Sequence, residues 1–156
     1  LFPGADAKLM DDFRRAFADV QAHAARAGVG LALENHPQGL LARADAIDAF
    51  LAAEGYDDIG IIYDVANAFA AGEEPADGVA RLATRLSIVH LSDSPRGGWR
   101  HDPIGRGDVD FRSVGAALEA VGFAGPVVLE IIADDPAQGI ADGLAELARA
   151  GWTFPK

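Results

Sequence analysis

Four polar side chains follow four short apolar runs of the sequence, and their chemistry suits a divalent cation. The residues are Glu34, Asp64, His90 and Glu130. Three carboxylates and one imidazole that converge on one point would repel one another unless a cation lay between them. The mostly oxygen donor set favours manganese or magnesium, with cobalt, iron or zinc as alternatives. The competing interpretation is that polar residues follow these runs only because the chain reaches solvent there.

These four residues meet at one point only if the elements before them are parallel strands, and the sequence predicts such strands. Nearly continuous apolar runs at 29–33, 59–63, 86–89 and 126–129 are typical of buried parallel strands. Helical periodicity covers about 6–27, 44–54, 75–84, 111–121 and 137–150. The alternation fits an open doubly wound sheet of four strands or part of a (β/α)8 barrel, which takes about 250 residues when complete.

Composition limits the classes of function. The 156 residues include 13 basic and 24 acidic side chains, for a net charge of −11. This acidic balance argues against a nucleic acid partner. No apolar run approaches the roughly 18 residues of a membrane helix, so no membrane partner is expected. The chain lacks cysteine, which excludes thiolate metal sites and fits a cytoplasmic location. It begins at Leu1, and we expect the natural protein to be longer.

Five segments resemble a known family. They are the stretches 33–36 (LENH), 63–68 (YDVANA), 89–94 (VHLSDS), 104–111 (IGRGDVDF) and 129–131 (LEI). In this order they resemble the xylose-isomerase-like barrel superfamily, which includes sugar isomerases, 3-epimerases, a dehydratase branch and apurinic endonucleases. The resemblance covers essentially the whole chain. It implies an α/β fold of the (β/α)8 TIM-barrel type, with residues 1–156 as a single domain forming the C-terminal half, strands five to eight.

The resemblance also implies roles for the four strand-end residues. All four would bind one divalent metal ion, and Glu34 and Glu130 would also transfer protons on opposite faces of a substrate. The implied activity is isomerisation or epimerisation of a sugar or sugar-like hydroxy-carbonyl compound, or a related dehydratase or lyase reaction. A metal-dependent apurinic-endonuclease-like phosphodiesterase and a catalytically inactive barrel fragment are the alternatives.

Four further residues are candidates for substrate contact: His36, Asn67, Arg96 and His101. Arg96 matches an arginine that holds substrate hydroxyls in the 3-epimerase branch, and His101 resembles a zinc ligand of the endonuclease branch. Asn67 stands where several branches have histidine, and Trp99 stands where the endonucleases have an aspartate ligand. These two departures argue against a trinuclear zinc site. Apart from Asn67, each candidate could instead be an ordinary loop residue.

A half barrel leaves its first and last strands with open edges. Exposed apolar strand edges favour association. We therefore expect a missing N-terminal half, or a second copy of the chain, to cover these edges.

Overall fold

The computed structural model describes residue 4 and residues 6–154. Four parallel strands form one sheet in the order β1-β2-β3-β4: β1 (Ala32–Glu34), β2 (Gly60–Asp64), β3 (Leu86–Leu91) and β4 (Val127–Leu129). Each strand therefore lies beside the strand that precedes it in the chain. This order is that of a partial TIM barrel, because a doubly wound sheet reverses its strand order at a switch point.

Helices connect and flank the strands. A short 3₁₀ turn (Ala7–Leu9) leads into α1 (Met10–Ala27), and the others are α2 (Ala44–Glu54), α3 (Val65–Ala70), α4 (Pro75–Leu82), α5 (Phe111–Ala120) and α6 (Pro136–Arg149). The helix α1 ends at Gly28 in the left-handed conformation (φ 67°), as its position after the periodic stretch predicts. None of the described helices has both the length and the hydropathy that crossing a bilayer requires.

The helix α3 is absent from the sequence prediction. Its six residues are too short for an apolar periodicity, and its start is fixed instead by the residue that ends β2. The Asp64 carboxylate accepts a hydrogen bond from the backbone N–H of Asn67 at 2.7 Å, which makes Asp64 the N-cap of α3. The strand β3 is also longer than predicted, because His90 and Leu91 pair within the sheet.

The two faces of the sheet have different surroundings. On the face that packs against the helices the side chains are buried: Leu33, Ile61, Tyr63, Val89 and Leu91. The alternate residues point to the opposite face, here called the inner face, as the two-residue period of a strand requires. Its apolar members are partly or fully exposed: Ala32, Ile62, Ile88 and Val128. Glu34, Asp64, His90 and Glu130 follow the same alternation, so all four belong to the inner face.

A register shift in β3 decides which of its residues reach the inner face. Ile61 pairs with Leu86, but Ile62 pairs with Ile88, so Ser87 is an extra, unpaired residue. Ser87 is exposed, and a Cβ at Gly60 would overlap its side chain, so the neighbouring strand accommodates the bulge with a glycine. From Ile88 onwards the pairing is regular, and Asp64 lies beside His90.

Candidate metal centre

The strand ends bring the four predicted ligands together. Each residue offers one oxygen or nitrogen atom, and these atoms all lie within 4.8 Å of one another. His90 Nδ1 is at the middle of the group, 2.8 Å from Glu130 Oε2, 3.2 Å from Glu34 Oε1 and 4.0 Å from Asp64 Oδ2. The backbone fixes Glu130, whose N–H donates to the Leu91 carbonyl at 3.0 Å. The cluster geometry therefore follows from the strand register.

The polar atoms of this cluster have unmet bonding capacity. Among the described residues, three buried side-chain atoms lack a hydrogen-bond partner, and all three belong here: Asp64 Oδ2, His90 Nδ1 and Glu130 Oε2. His90 Nδ1 and Glu130 Oε2 are close enough for a hydrogen bond, but their relative orientation does not form one. Buried polar atoms are nearly always paired, and an unpaired group is costly. Three such atoms facing one another are the donor set that a divalent cation satisfies, so the residues present fit a bound metal ion.

Burial and neighbouring charges shift the pKa values of two residues in the cluster. Burial raises the pKa of the Asp64 carboxyl to about 7; the Asn67 N–H opposes this shift, and the charge of Glu130 adds to it. The Glu34 carboxylate beside the imidazole raises the pKa of His90, because it stabilises the protonated ring, while burial opposes the shift. A bound cation would oppose both shifts, because it favours the deprotonated carboxyl and the neutral imidazole.

Two asparagines hold Asp64 in place. The side chain of Asn35 accepts from the Asp64 backbone N–H at 2.7 Å and donates to the Asp64 carbonyl at 2.9 Å. Asn67 Nδ2 donates to the Asn35 carbonyl at 3.0 Å. Asn35 was not among the predicted site residues, and its position directly after Glu34 at a strand end was the available signal. Together these bonds fix the backbone from which the Asp64 carboxylate projects.

Asp93 organises the long loop between β3 and α5, and the sequence analysis also missed it. Its buried carboxylate accepts hydrogen bonds from four backbone N–H groups at 2.8–3.1 Å: those of Ser94, Gly105, Gly107 and Val109. At Gly107 a Cβ would overlap Asp93 and the backbone of Ser94, so the loop closes only around a glycine. The available signal was an aspartate three residues after His90 at the start of a glycine-rich stretch.

Two of the four predicted substrate-contact residues, His101 and Asn67, contact Asp64, and His36 contacts Trp99 next to them. His101 Nδ1 is 3.7 Å from Asp64 Oδ2 and 2.9 Å from Ser92 Oγ. The ring of His36 contacts Trp99 edge to face, with centroids 5.0 Å apart. Asn67 is buried, and its amide oxygen accepts from the indole N–H of Trp99 at 2.8 Å. Asn67 is therefore engaged within the protein on both sides of its amide.

Arg96 points elsewhere. Its guanidinium lies over the Phe69 ring, 4.9 Å from the centroid, and its Nη1 is 3.7 Å from Glu74 Oε1. The side chain is exposed. In the part of the chain that the structure describes, the Arg96 side chain contacts α3 and the residue before α4 rather than the four candidate ligands.

Comparison with known proteins agrees with the fold. The chain belongs to the xylose isomerase-like TIM barrel family, whose model matches residues 2–150. None of the curated proteins is significantly similar to the chain in sequence.

Solved structures provide the closer comparison. The chain is similar to 3-keto-D-glucoside 4-epimerase from E. coli, with 26% identity and a TM-score of 0.70 over 91% of this chain and 53% of that one. D-allulose 3-epimerase from Methylomonas sp. gives 20% identity and a TM-score of 0.78 over 96% and 58%. A xylose isomerase-like TIM barrel protein from Mycobacterium smegmatis, in complex with magnesium, gives 21% and 0.70 over 94% and 52%. The chain thus spans about half the length of the structures that it matches.

Proposed function

We propose that Glu34, Asp64, His90 and Glu130 bind one divalent metal ion. We further propose that the whole protein is an isomerase or epimerase of a small sugar or sugar-like hydroxy-carbonyl compound. The observation that carries the proposal is the set of three buried, unpaired atoms that face one another at the strand ends. The oxygen-rich donor set favours manganese or magnesium, and cobalt, iron and zinc remain alternatives. The similarity to two sugar epimerases supports the substrate class.

The exposure of the four side chains supports a division of roles between them. Asp64 has no exposed side-chain surface, whereas the side chains of Glu34 and Glu130 are each 42% exposed. Asp64 is thus suited only to holding the ion, while the two glutamates are also accessible to a substrate. Glu34 ends β1 and Glu130 directly follows β4, at opposite ends of the sheet order, so they approach the inner face from different sides.

Proton transfers between the substrate and these two glutamates account for the proposed reaction. A bound divalent ion supplies Lewis acidity, which polarises a substrate carbonyl and acidifies the adjacent C–H. One glutamate then removes the proton from that carbon, and the other returns a proton from the opposite side. Asp64 and His90, with Asn35 and Asn67 fixing the backbone of Asp64, hold the arrangement while the proton moves.

Solvent exchange tests the proton-transfer roles. In the full-length enzyme, Glu34→Gln and Glu130→Gln, each assayed with metal occupancy measured, should lose exchange of substrate C–H with solvent deuterium, or turnover, by about 10²–10⁴. Glu119→Gln, on the exposed surface of α5, is the matched control. Full exchange in both site variants at unchanged occupancy would assign the base to another residue.

The phosphodiesterase alternative is tested on DNA. A protein of charge −11 with Asn67 in place of a histidine is not expected to bind abasic duplex DNA. Micromolar, salt-dependent binding or strand nicking would overturn the sugar assignment in favour of the endonuclease branch.

We propose that this chain is the C-terminal half of the barrel and that an N-terminal half covers its open edges. Apolar side chains are exposed near both end strands: Val29 shortly before β1, Val127 in β4 and Ile132 shortly after β4. The matched structures are about twice as long as the chain, which supports four further βα units. A second copy of this chain is the alternative occupant.

A further inference from the structure

Trp99 connects the long loop after β3 to the first turn of α3. Its indole N–H donates to Asn67 Oδ1 at 2.8 Å. The ring lies between two histidines, with centroids 5.0 Å from His36 and 6.5 Å from His101. Trp99 is 41% exposed, whereas its partner Asn67 is buried. A large aromatic residue at the mouth of the site therefore has its only polar atom committed to a buried amide.

Asn67 is also hydrogen-bonded to Asp64. The backbone N–H of Asn67 donates to Asp64 Oδ1 at 2.7 Å, and its side-chain nitrogen is bonded to the Asn35 carbonyl. Asp64 Oδ1 is thereby occupied, and Asp64 Oδ2 is left without a hydrogen-bond partner near His90. Two hydrogen bonds in series link the indole to the carboxylate that faces the cluster.

We propose that Trp99 is a positioning residue of the metal centre. It fixes Asn67, and Asn67 orients the Asp64 carboxylate so that Oδ2 is directed at the ion. The inference rests on the proposed metal centre and extends it to a residue whose side chain contacts Asn67, His36 and His101 rather than the four ligands. Outer partners that orient ligands in this way typically change metal affinity by about 10–100-fold when removed.

The chain contains its own matched control. Trp152 is the other of its two tryptophans, and its indole N–H also donates at 2.8 Å, to the Phe111 carbonyl at the start of α5. Trp99→Phe and Trp152→Phe therefore each remove one indole hydrogen bond of equal length. Only the first lies in the series that leads to Asp64.

The test measures Mn²⁺ binding to the 156-residue chain by equilibrium dialysis. Trp99→Phe is expected to raise the Kd by about tenfold or more, and Trp152→Phe to leave it unchanged. Asn67→Ala is expected to weaken binding similarly, and adding Trp99→Phe to Asn67→Ala should have little further effect, because both act through one connection. If Trp99→Phe does not fold, the Kd of Asn67→Ala still tests the connection between Trp99 and Asp64.

Tryptophan fluorescence provides a second readout. Paramagnetic Mn²⁺ is expected to quench the emission of Trp152→Phe, in which Trp99 is the remaining tryptophan, and to leave the emission of Trp99→Phe nearly unchanged. A parent chain that binds no Mn²⁺ overturns both the metal centre and the inference. A parent that binds Mn²⁺, with an equal Kd in Trp99→Phe or in Asn67→Ala, overturns the inference alone.

Discussion

Asp64 uses its two carboxylate oxygens for different purposes. Oδ1 accepts the Asn67 N–H and caps α3, whereas Oδ2 faces Glu130, His90 and Glu34 without a hydrogen bond. One residue thus joins the end of a strand, the start of a helix and the candidate metal centre. Its burial makes the charge costly in the absence of a cation, and this cost is what raises its pKa.

Asp64→Asn is expected to separate metal binding from stability. The amide oxygen keeps the cap on α3, and the amide NH₂ donates to a neighbouring carboxylate, so repulsion without metal is relieved. With a chelator present, the variant should have a melting temperature equal to or above that of the parent. Its Mn²⁺ affinity should fall by more than about 100-fold, which is the upper end of the effect of removing a residue that only orients a ligand. Thermal melts with and without Mn²⁺ measure both effects.

The control for this experiment is Asp57→Asn, which removes one surface charge beside Arg85. It should leave the Mn²⁺-induced rise in melting temperature intact. A similar rise in Asp64→Asn would mean that Asp64 is not a ligand.

Asp93 is expected to determine whether the loop after β3 keeps its conformation. Asp93→Ala removes the acceptor of four backbone N–H groups and leaves several of them buried without a hydrogen bond. The free energy of unfolding should therefore fall by about 3 kcal/mol or more. Asp108→Ala is the comparison, because that exposed aspartate accepts one backbone N–H, from Arg96. Urea unfolding of both variants measures the difference. Equal losses would show that the loop does not depend on Asp93.

At the level of elements, α5 begins with a charged cap. The Asp110 carboxylate accepts hydrogen bonds from the Ser113 hydroxyl at 2.6 Å and from the backbone N–H groups of Arg112 and Ser113. The Ser113 hydroxyl, followed by these N–H groups, holds the pKa of Asp110 below its ordinary value of 3.8. A lowered pKa in the folded state means that ionised Asp110 stabilises the fold.

Asp110→Ala is expected to reduce the free energy of unfolding by about 1 kcal/mol at pH 7. Folding lowers the pKa of Asp110, so the stabilisation is complete at pH values above the pKa of Asp110 in the unfolded chain. It is lost as the pH falls through the pKa of Asp110 in the folded chain. The difference between parent and variant in urea unfolding should therefore shrink between about pH 5 and about pH 3. Asp110→Asn, which keeps an acceptor oxygen, should lose less at pH 7. A pH-independent difference would contradict the charged cap.

Predictability from sequence varied between elements for physical reasons. The long helices and the strands carry repeating apolar patterns, so their existence and order follow from local sequence. The convergence of Glu34 with His90 followed from parallel strands having their ends at one edge. The helix α3 has no repeat, because a single cap fixes it, and the fold of the loop 92–110 depends on Asp93 bonding residues up to 16 positions away. Contacts of this kind produce no repeating pattern in the sequence.

At the scale of the whole molecule, the inner face and the flank of α6 are incompletely covered. The exposed apolar residues there include Val128 below Glu130, Ile132 after β4, and Ile140 and Leu144 one turn apart on α6. A closed barrel buries such positions. The chain by itself therefore presents an apolar surface that other polypeptide can cover.

The 156-residue chain is accordingly expected to self-associate in solution through this surface. Ile140→Lys combined with Leu144→Lys should shift it towards the monomer. The control is Ala141→Lys with Ala145→Lys, which adds the same charge at exposed positions of the same helix. Sedimentation velocity over a range of concentrations distinguishes the three proteins. A parent that is monomeric at all concentrations, or a control that dissociates equally, would argue against this surface.

The unpaired Ser87 allows β3 to lose one residue without losing the alignment of its end. Deleting Ser87 would remove the bulge but leave Ile88, Val89 and His90 beside Ile62, Tyr63 and Asp64, so His90 would still reach the inner face. A second deletion between Leu86 and His90 would find no bulge to absorb it, and His90 would turn towards the helices. A related sequence that is one residue shorter here is therefore expected to retain the centre, and one that is two residues shorter is expected to lose it, although all four ligands are present in both.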